Sequence, residues 1–170
     1  MNRHIEPVLL ARLKVWRSVA LMGARQVGKS HLLAQILRTH PGTLLSFDDP
    51  SERQEASRDP VRYLENRYHE GKYLLIDEAA RVPEIFSAVK MLVDRQGSNP
   101  TGICLANSGN YLLMRRIKES LAGRVNLLSM YPLSWQEFSG STQRPGLAVL
   151  CRGDMPSTIR WWATRNKRPG

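Results

Sequence analysis

Residues 23–30 read GARQVGKS: two glycines with four residues between them, then a lysine and a hydroxyl. The spacing fits GxxxxGK[ST], a pattern whose chemistry is the wrapping of phosphates. A nucleoside triphosphate carries several negative charges, and a loop enclosing them must turn its backbone N–H groups inward and let them come close. Glycine permits both, having no Cβ and free access to positive φ. Gly23 and Gly28 would shape this loop and Ala24, Arg25, Gln26 and Val27 would complete it. Lys29 would reach the outer phosphates, and Ser30 would ligate the magnesium that accompanies them. His31 follows directly and is counted with the nucleotide-binding set. The bare pattern could also be a glycine turn with a surface lysine. Its setting favours the phosphate loop, because the apolar run SVALM precedes it and KSHLLAQIL, with helical spacing, follows. A helix N-terminus at that point adds partial positive charge.

A second constellation is YLLIDEAARVPE at 73–84, where four residues run into adjacent carboxylates. Open parallel sheets bind their ligands at the carboxyl ends of strands. There Asp77 would hold magnesium through its water shell, and Glu78 would act as general base, or orient water, for attack on the terminal phosphate. Adjacent carboxylates also serve as helix N-terminal residues, so the pair draws its meaning from the phosphate loop before it. ICLANSGN closes the fourth apolar run. If that strand lies between the loop strand and the Asp77 strand, Asn107 or Ser108 would face the terminal phosphate and sense its loss; otherwise they cap the strand. Arg124 in SLAGRV is either a transition-state arginine, acting across an oligomer, or a surface arginine opening a strand. Asp48 and Asp49 also sit near a strand end, with a helix cap at Asp49 or Ser51 the simplest account. His4, His31, His40 and His69 share no metal-ligand spacing.

Positioning these residues requires strands that end on one edge. Strands are expected at Ser18–Gly23, Thr43–Asp48, Tyr73–Asp77, Gly102–Asn107 and Val125–Met130, and none alternates cleanly between polar and apolar. Near-continuous apolar strands are what a sheet covered on both faces needs. Between them KSHLLAQILRTH, PVRYLENRYHE, EIFSAVKMLVDRQ and NYLLMRRIKESLA space apolar residues three and four apart, as covering helices do. Strands alternating with helices predict an α/β fold of three layers around a parallel sheet.

The 170 residues suit one domain, with 42% hydrophobic residues and no run near the roughly 20 apolar residues of a membrane span. The first residues, MNRHIEPVLLARLKVWRS, lack the features of a signal peptide, and Cys104 and Cys151 form no metal or disulfide pattern, so a cytoplasmic setting is expected. Net charge is +10, and residues 139–170 hold six basic residues against one acid. That segment is either a weak nucleic-acid contact or a solvated tail. Turn formers replace periodic order after Phe138, which divides the chain into residues 1–138 and a linker with the start of a further domain at 139–170.

Taken together, RHIEPVLL, GARQVGKSHLL, FDDPSERQEASRDPVRYLE, LLIDEAARVPEIFSAVKMLVD, ESLAGRV and YPLSWQEF resemble bacterial and archaeal AAA-type ATPases. That family is related to the signal-transduction NTPases and carries a C-terminal domain of unknown function. The resemblance implies a P-loop NTPase fold with a five-stranded parallel sheet in the order 5-1-4-3-2, ATP as ligand and magnesium-dependent hydrolysis. It places the phosphate-loop roles on Gly23 to Ser30, the metal and base roles on Asp77 and Glu78, and the LAGR arginine on Arg124. Two departures stand out: LANS occupies the place of the family's LTGS, putting Ala106 for threonine and Asn107 for glycine, and Ala80 stands where glutamine is frequent. RGDMP at 152–156 resembles the string that opens the family's second domain, so the chain is expected to be the ATPase half, a nucleotide switch for a C-terminal effector. Two alternatives remain. One is a non-hydrolysing nucleotide- or DNA-binding module; the other is a small-molecule kinase, which the adjacent Asp77 and Glu78 disfavour.

Overall fold

A computed structural model describes residues 3–108, 117, 119–134 and 137. Five parallel strands form its centre: β1 (Ser18–Gly23), β2 (Gly42–Ser46), β3 (Tyr73–Asp77), β4 (Ile103–Ser108) and β5 (Val125–Met130). Their order is β2-β3-β4-β1-β5, the expected order counted from the other edge. β1 lies inside the sheet, pairing with β4 from Ser18↔Ile103 to Gly23↔Ser108 and with β5 from Ser18↔Val125 to Gly23↔Met130. Residues 2–133 make one compact unit, and Ser134 begins another. In that second unit Ser134 and Glu137 cap each other, each backbone N–H donating to the other's side chain (2.8 and 3.2 Å). This is the reciprocal arrangement of a helix start.

Each strand sends alternate side chains into two cores, which accounts for the near-continuous apolar sequence of the inner strands. Ala20, Met22, Leu74, Ile76, Ile103 and Leu105 pack on one face with α3 (Pro50–Arg58), α4 (Pro60–Glu65) and α5 (Ile85–Arg95). Val19, Leu21, Leu75, Cys104, Ala106 and Leu128 pack on the other with α1 (Ile5–Leu13) and α2 (Lys29–Thr39). The result is the three-layer α/β fold expected of a P-loop NTPase. Complete burial pushes the Cys104 thiol up to about 12, which leaves it an inert packing group.

Several boundaries differ from expectation by a residue or more, and three of the differences bear on the path of the chain. β2 ends at Ser46, because Phe47 turns its N–H to the Asp77 carbonyl (3.1 Å) and Asp49 starts a helix, accepting from the Ser51 N–H (2.8 Å). β4 starts one residue late, since Gly102 takes a left-handed turn (φ 69°). The helix expected from Pro60 to Glu70 stops at Glu65. Most of the helix expected over 110–122 lies outside the described residues, of which Ile117, Glu119 and Ser120 are helical. The basic segment at 139–170, Cys151 and RGDMP also lie outside them. Among the described residues no helix is long and apolar enough to cross a membrane.

Candidate functional site

Because all strands are parallel, β1, β3 and β4 deliver their last residues to one edge. The phosphate-loop sequence leaves β1 there. Gly23 needs its missing Cβ for packing, since a Cβ would lie 2.6 Å from the Met130 carbonyl oxygen at the end of β5. Gly28 needs its conformational freedom, adopting φ 94° as the residue that opens α2. Gln26 is also left-handed at φ 65°. Ala24, Arg25, Gln26, Ser30 and His31 are exposed around the loop, whereas Val27 is buried beneath it. Lys29 is buried at 5% exposure and donates from Nζ to the carbonyls of Gly23 (3.1 Å) and Ala24 (2.9 Å). An ammonium has three N–H donors, so this hold across the loop leaves one for a further acceptor.

Asp77 ends β3 beside the loop, and the Ser30 hydroxyl donates to its carboxylate. The two motifs are therefore in contact. Burial is the main force raising the Asp77 carboxyl above the ordinary aspartate value, and the neighbouring Glu78 charge adds to it. The Ser30 hydroxyl, the Glu78 N–H and Lys29 oppose the rise. Ser30 and Asp77 together fit magnesium, which takes one or two protein oxygens and fills its remaining positions with phosphate and water. Among the described residues no three His, Cys, Asp or Glu side chains gather as an all-protein metal cage.

Glu78 stands in the left-handed region (φ 49°, ψ 41°) before a single 3-10 turn at Ala79–Arg81. Its carboxylate accepts from the Ser108 hydroxyl. β4 does lie between β1 and β3, so Asn107 and Ser108 fall between the loop and the acidic pair. Asn107 is fully buried and ties down the turn after Glu78, its Oδ1 accepting from the Ala80 N–H at 2.6 Å. Its Nδ2 is a buried donor with no partner among the described residues. In this chain Asn107, one of the two residues that depart from the LTGS pattern, thus supports the backbone of the turn after the acidic pair. Asp48, two residues beyond β2, pairs with Arg81 of the same turn (2.8 Å).

Arg124 is not part of this gathering. It precedes β5 at the opposite edge of the sheet, roughly 20 Å away for six residues of strand. There it donates to Asp94 (2.5 Å) and to the Ala122 carbonyl (2.8 Å), while its own carbonyl accepts from Ser18. Within its own chain Arg124 opens β5, and its own chain's phosphate loop is out of reach. One site contact was given no role from the sequence: Arg3, the first residue of RHIEPVLL, reaches the loop from before α1, and the packing of α1 beneath β1 and β5 brings it there.

Residues 16–139 match the family described as AAA domain. Uncharacterised proteins of Mycobacterium bovis and Mycobacterium tuberculosis are each 30% identical over 141 residues, 83% of this chain. The chain spans only 30% of the length of either relative. Among solved structures, the Walker-type ATPase of Pyrococcus abyssi is similar in fold, with a TM-score of 0.56 and 19% identity, covering 80% of this chain and 55% of that one.

Proposed function

The chain belongs to the AAA domain family as an AAA-type P-loop ATPase domain, and from that premise we propose that it binds ATP with magnesium at Gly23–Ser30 and hydrolyses it. The observation that carries this reading is the contact between Ser30 and Asp77, which joins the loop to the strand-end carboxylate. The loop N–H groups and the start of α2 bind the phosphates, and Lys29 gives its remaining N–H to the outer ones. Ser30 and Asp77 hold the cation, which when bound supplies charge neutralisation across the outer phosphates. Glu78 takes a proton from water as the water oxygen bonds to the terminal phosphorus. The bond from that phosphorus to the bridging oxygen breaks, and ADP leaves with the electron pair. Ser108 orients the Glu78 carboxylate and Asn107 steadies the turn that carries it.

The relatives extend well beyond the matched region, which supports a nucleotide switch working on an effector elsewhere in a longer protein. The test is magnesium-dependent phosphate release by this chain beside its Glu78→Gln variant, with ATP affinity measured for both and for Lys29→Ala. Equal affinity of wild type and Lys29→Ala would sink the reading. Binding without turnover is the second reading, favoured by the replacement of LTGS with LANS. Phosphate release above the Glu78→Gln level excludes it.

A further inference from the structure

Arg3 lies outside the phosphate loop and the acidic pair, yet it is 9% exposed and its guanidinium lies against the phosphate loop. Nη1 donates to the Val27 carbonyl at 3.1 Å, and Nη2 donates to the Tyr131 carbonyl at 2.6 Å. Nη1 is also 3.9 Å from where a Cβ on Gly28 would stand. We propose that Arg3 is a positioning residue for the nucleotide site, clasping the loop to the exit of β5 and aiming the Gly28 N–H into the phosphate hollow. The proposal rests on the nucleotide reading above and adds to it a residue that does not touch the reacting atoms.

The geometry follows from the peptide bond. In a trans peptide the carbonyl and the following N–H point in opposite directions. Drawing the Val27 carbonyl outward to Arg3 therefore turns the Gly28 N–H the other way. Gly28 opens α2, so its N–H has no carbonyl partner within the helix and is available to an anion. The end of β5 braces the loop at both ends. The Met130 carbonyl fills the space beside Gly23, and the Tyr131 carbonyl anchors the arginine that holds Val27. Only a guanidinium suits the task. Its N–H groups stand in a rigid fork on separate nitrogens and reach two carbonyls from different segments at once, which a lysine ammonium does less well.

The test pairs hydrogen exchange of the nucleotide-free chain with ATP titration, using wild type, Arg3→Ala and Arg3→Lys. Arg3→Ala should speed exchange in peptides spanning 23–30 several-fold. It should also weaken ATP binding by about ten- to a hundredfold, as loss of one or two charge-assisted hydrogen bonds would, with the effect on KM larger than that on kcat. Arg3→Lys, which keeps the charge but not the fork, should fall closer to Arg3→Ala than to wild type. Unchanged loop exchange in Arg3→Ala overturns the clasp, even if affinity falls. Wild-type behaviour of Arg3→Lys also overturns it, leaving general charge attraction. If Arg3→Ala does not fold, Arg3→Lys alone decides by the same criterion. Loop exchange that rises in a protein whose wild type binds no ATP sinks the nucleotide reading and leaves the clasp standing.

Discussion

The two ends of the sheet solve the same backbone problem differently. Where the chain turns to enter β3, β4 and β5, every left-handed residue among the described ones is glycine: Gly71, Gly97, Gly102 and Gly123. Where it leaves β1 and β3, Gly28 shares the left-handed region with Gln26 and Glu78. An ordinary L-residue there costs about 1–2 kcal/mol. The charges differ in the same sense. At the entry end Asp94 is exposed and paired with Arg124 and Arg17, and the Arg124 hydrogen bond holds its carboxyl below the usual aspartate range. At the exit end Asp77 is buried and its carboxyl is raised. The entry end is built for stability, and the exit end holds strain and buried charge where the proposed chemistry takes place.

The sharpest way to break this contrast is Glu78→Gln. It should leave ATP affinity nearly unchanged and reduce phosphate release by about 10²–10⁴, the usual worth of a general base. Lys29→Ala should weaken ATP binding by at least about a hundredfold in a titration. Asn107→Ala should lower turnover about tenfold, the worth of one good hydrogen bond, with affinity unaltered. If Asn107 acts only through Glu78, the double variant with Glu78→Gln should be no slower than Glu78→Gln alone. Multiplying effects would instead place Asn107 on the phosphate.

Smaller effects probe the strain and the buried charge. Asp77→Asn should raise the thermal midpoint of the nucleotide-free chain. A carboxyl whose folded value is raised loses stability as pH climbs from its ordinary value of 3.8 through the raised one. The advantage of Asp77→Asn should therefore grow across that window and vanish below it; a constant gap would show that the charge is not the cause. Finally, Gln26→Gly should stabilise and Gly123→Ala destabilise, each by about 1 kcal/mol in denaturant unfolding. A Cβ at Gly123 meets nothing within 4 Å, so its cost would be backbone strain alone.

Local patterns carried much of the fold. Strands buried on both faces must be largely apolar, so β1 and β3 were legible residue for residue, and β5 was read to the same bounds although it is an edge strand carrying Asn126 and an exposed Ser129. The helices varied. In α5 Ile85, Phe86, Ala88, Val89, Leu92 and Val93 are buried, and the helical period shows plainly. In α1 only Leu9 and Leu13 are buried while Val8 stays 42% exposed, so apolar residues scatter around the helix and blur its face. α3 buries only Ala56, and its cap at Asp49 was the one readable mark.

The candidate site divides along the same line. Gly23–Ser30, Asp77 and Glu78 stood out because the proposed phosphate and cation chemistry would demand particular residue types at short spacing, and the sequence by itself determined that pattern together with the strands that carry it. Strand order decided the rest. Parallel pairing gathers the ends of β1, β3 and β4 on one edge, so Ser30 meets Asp77 and Asn107 meets Ala80. The same pairing holds Arg124 at the opposite edge and leaves Arg3 to cross to β5. These are partnerships between residues far apart in the chain, and no local spacing encodes them: they exist only once the sheet has brought the segments together.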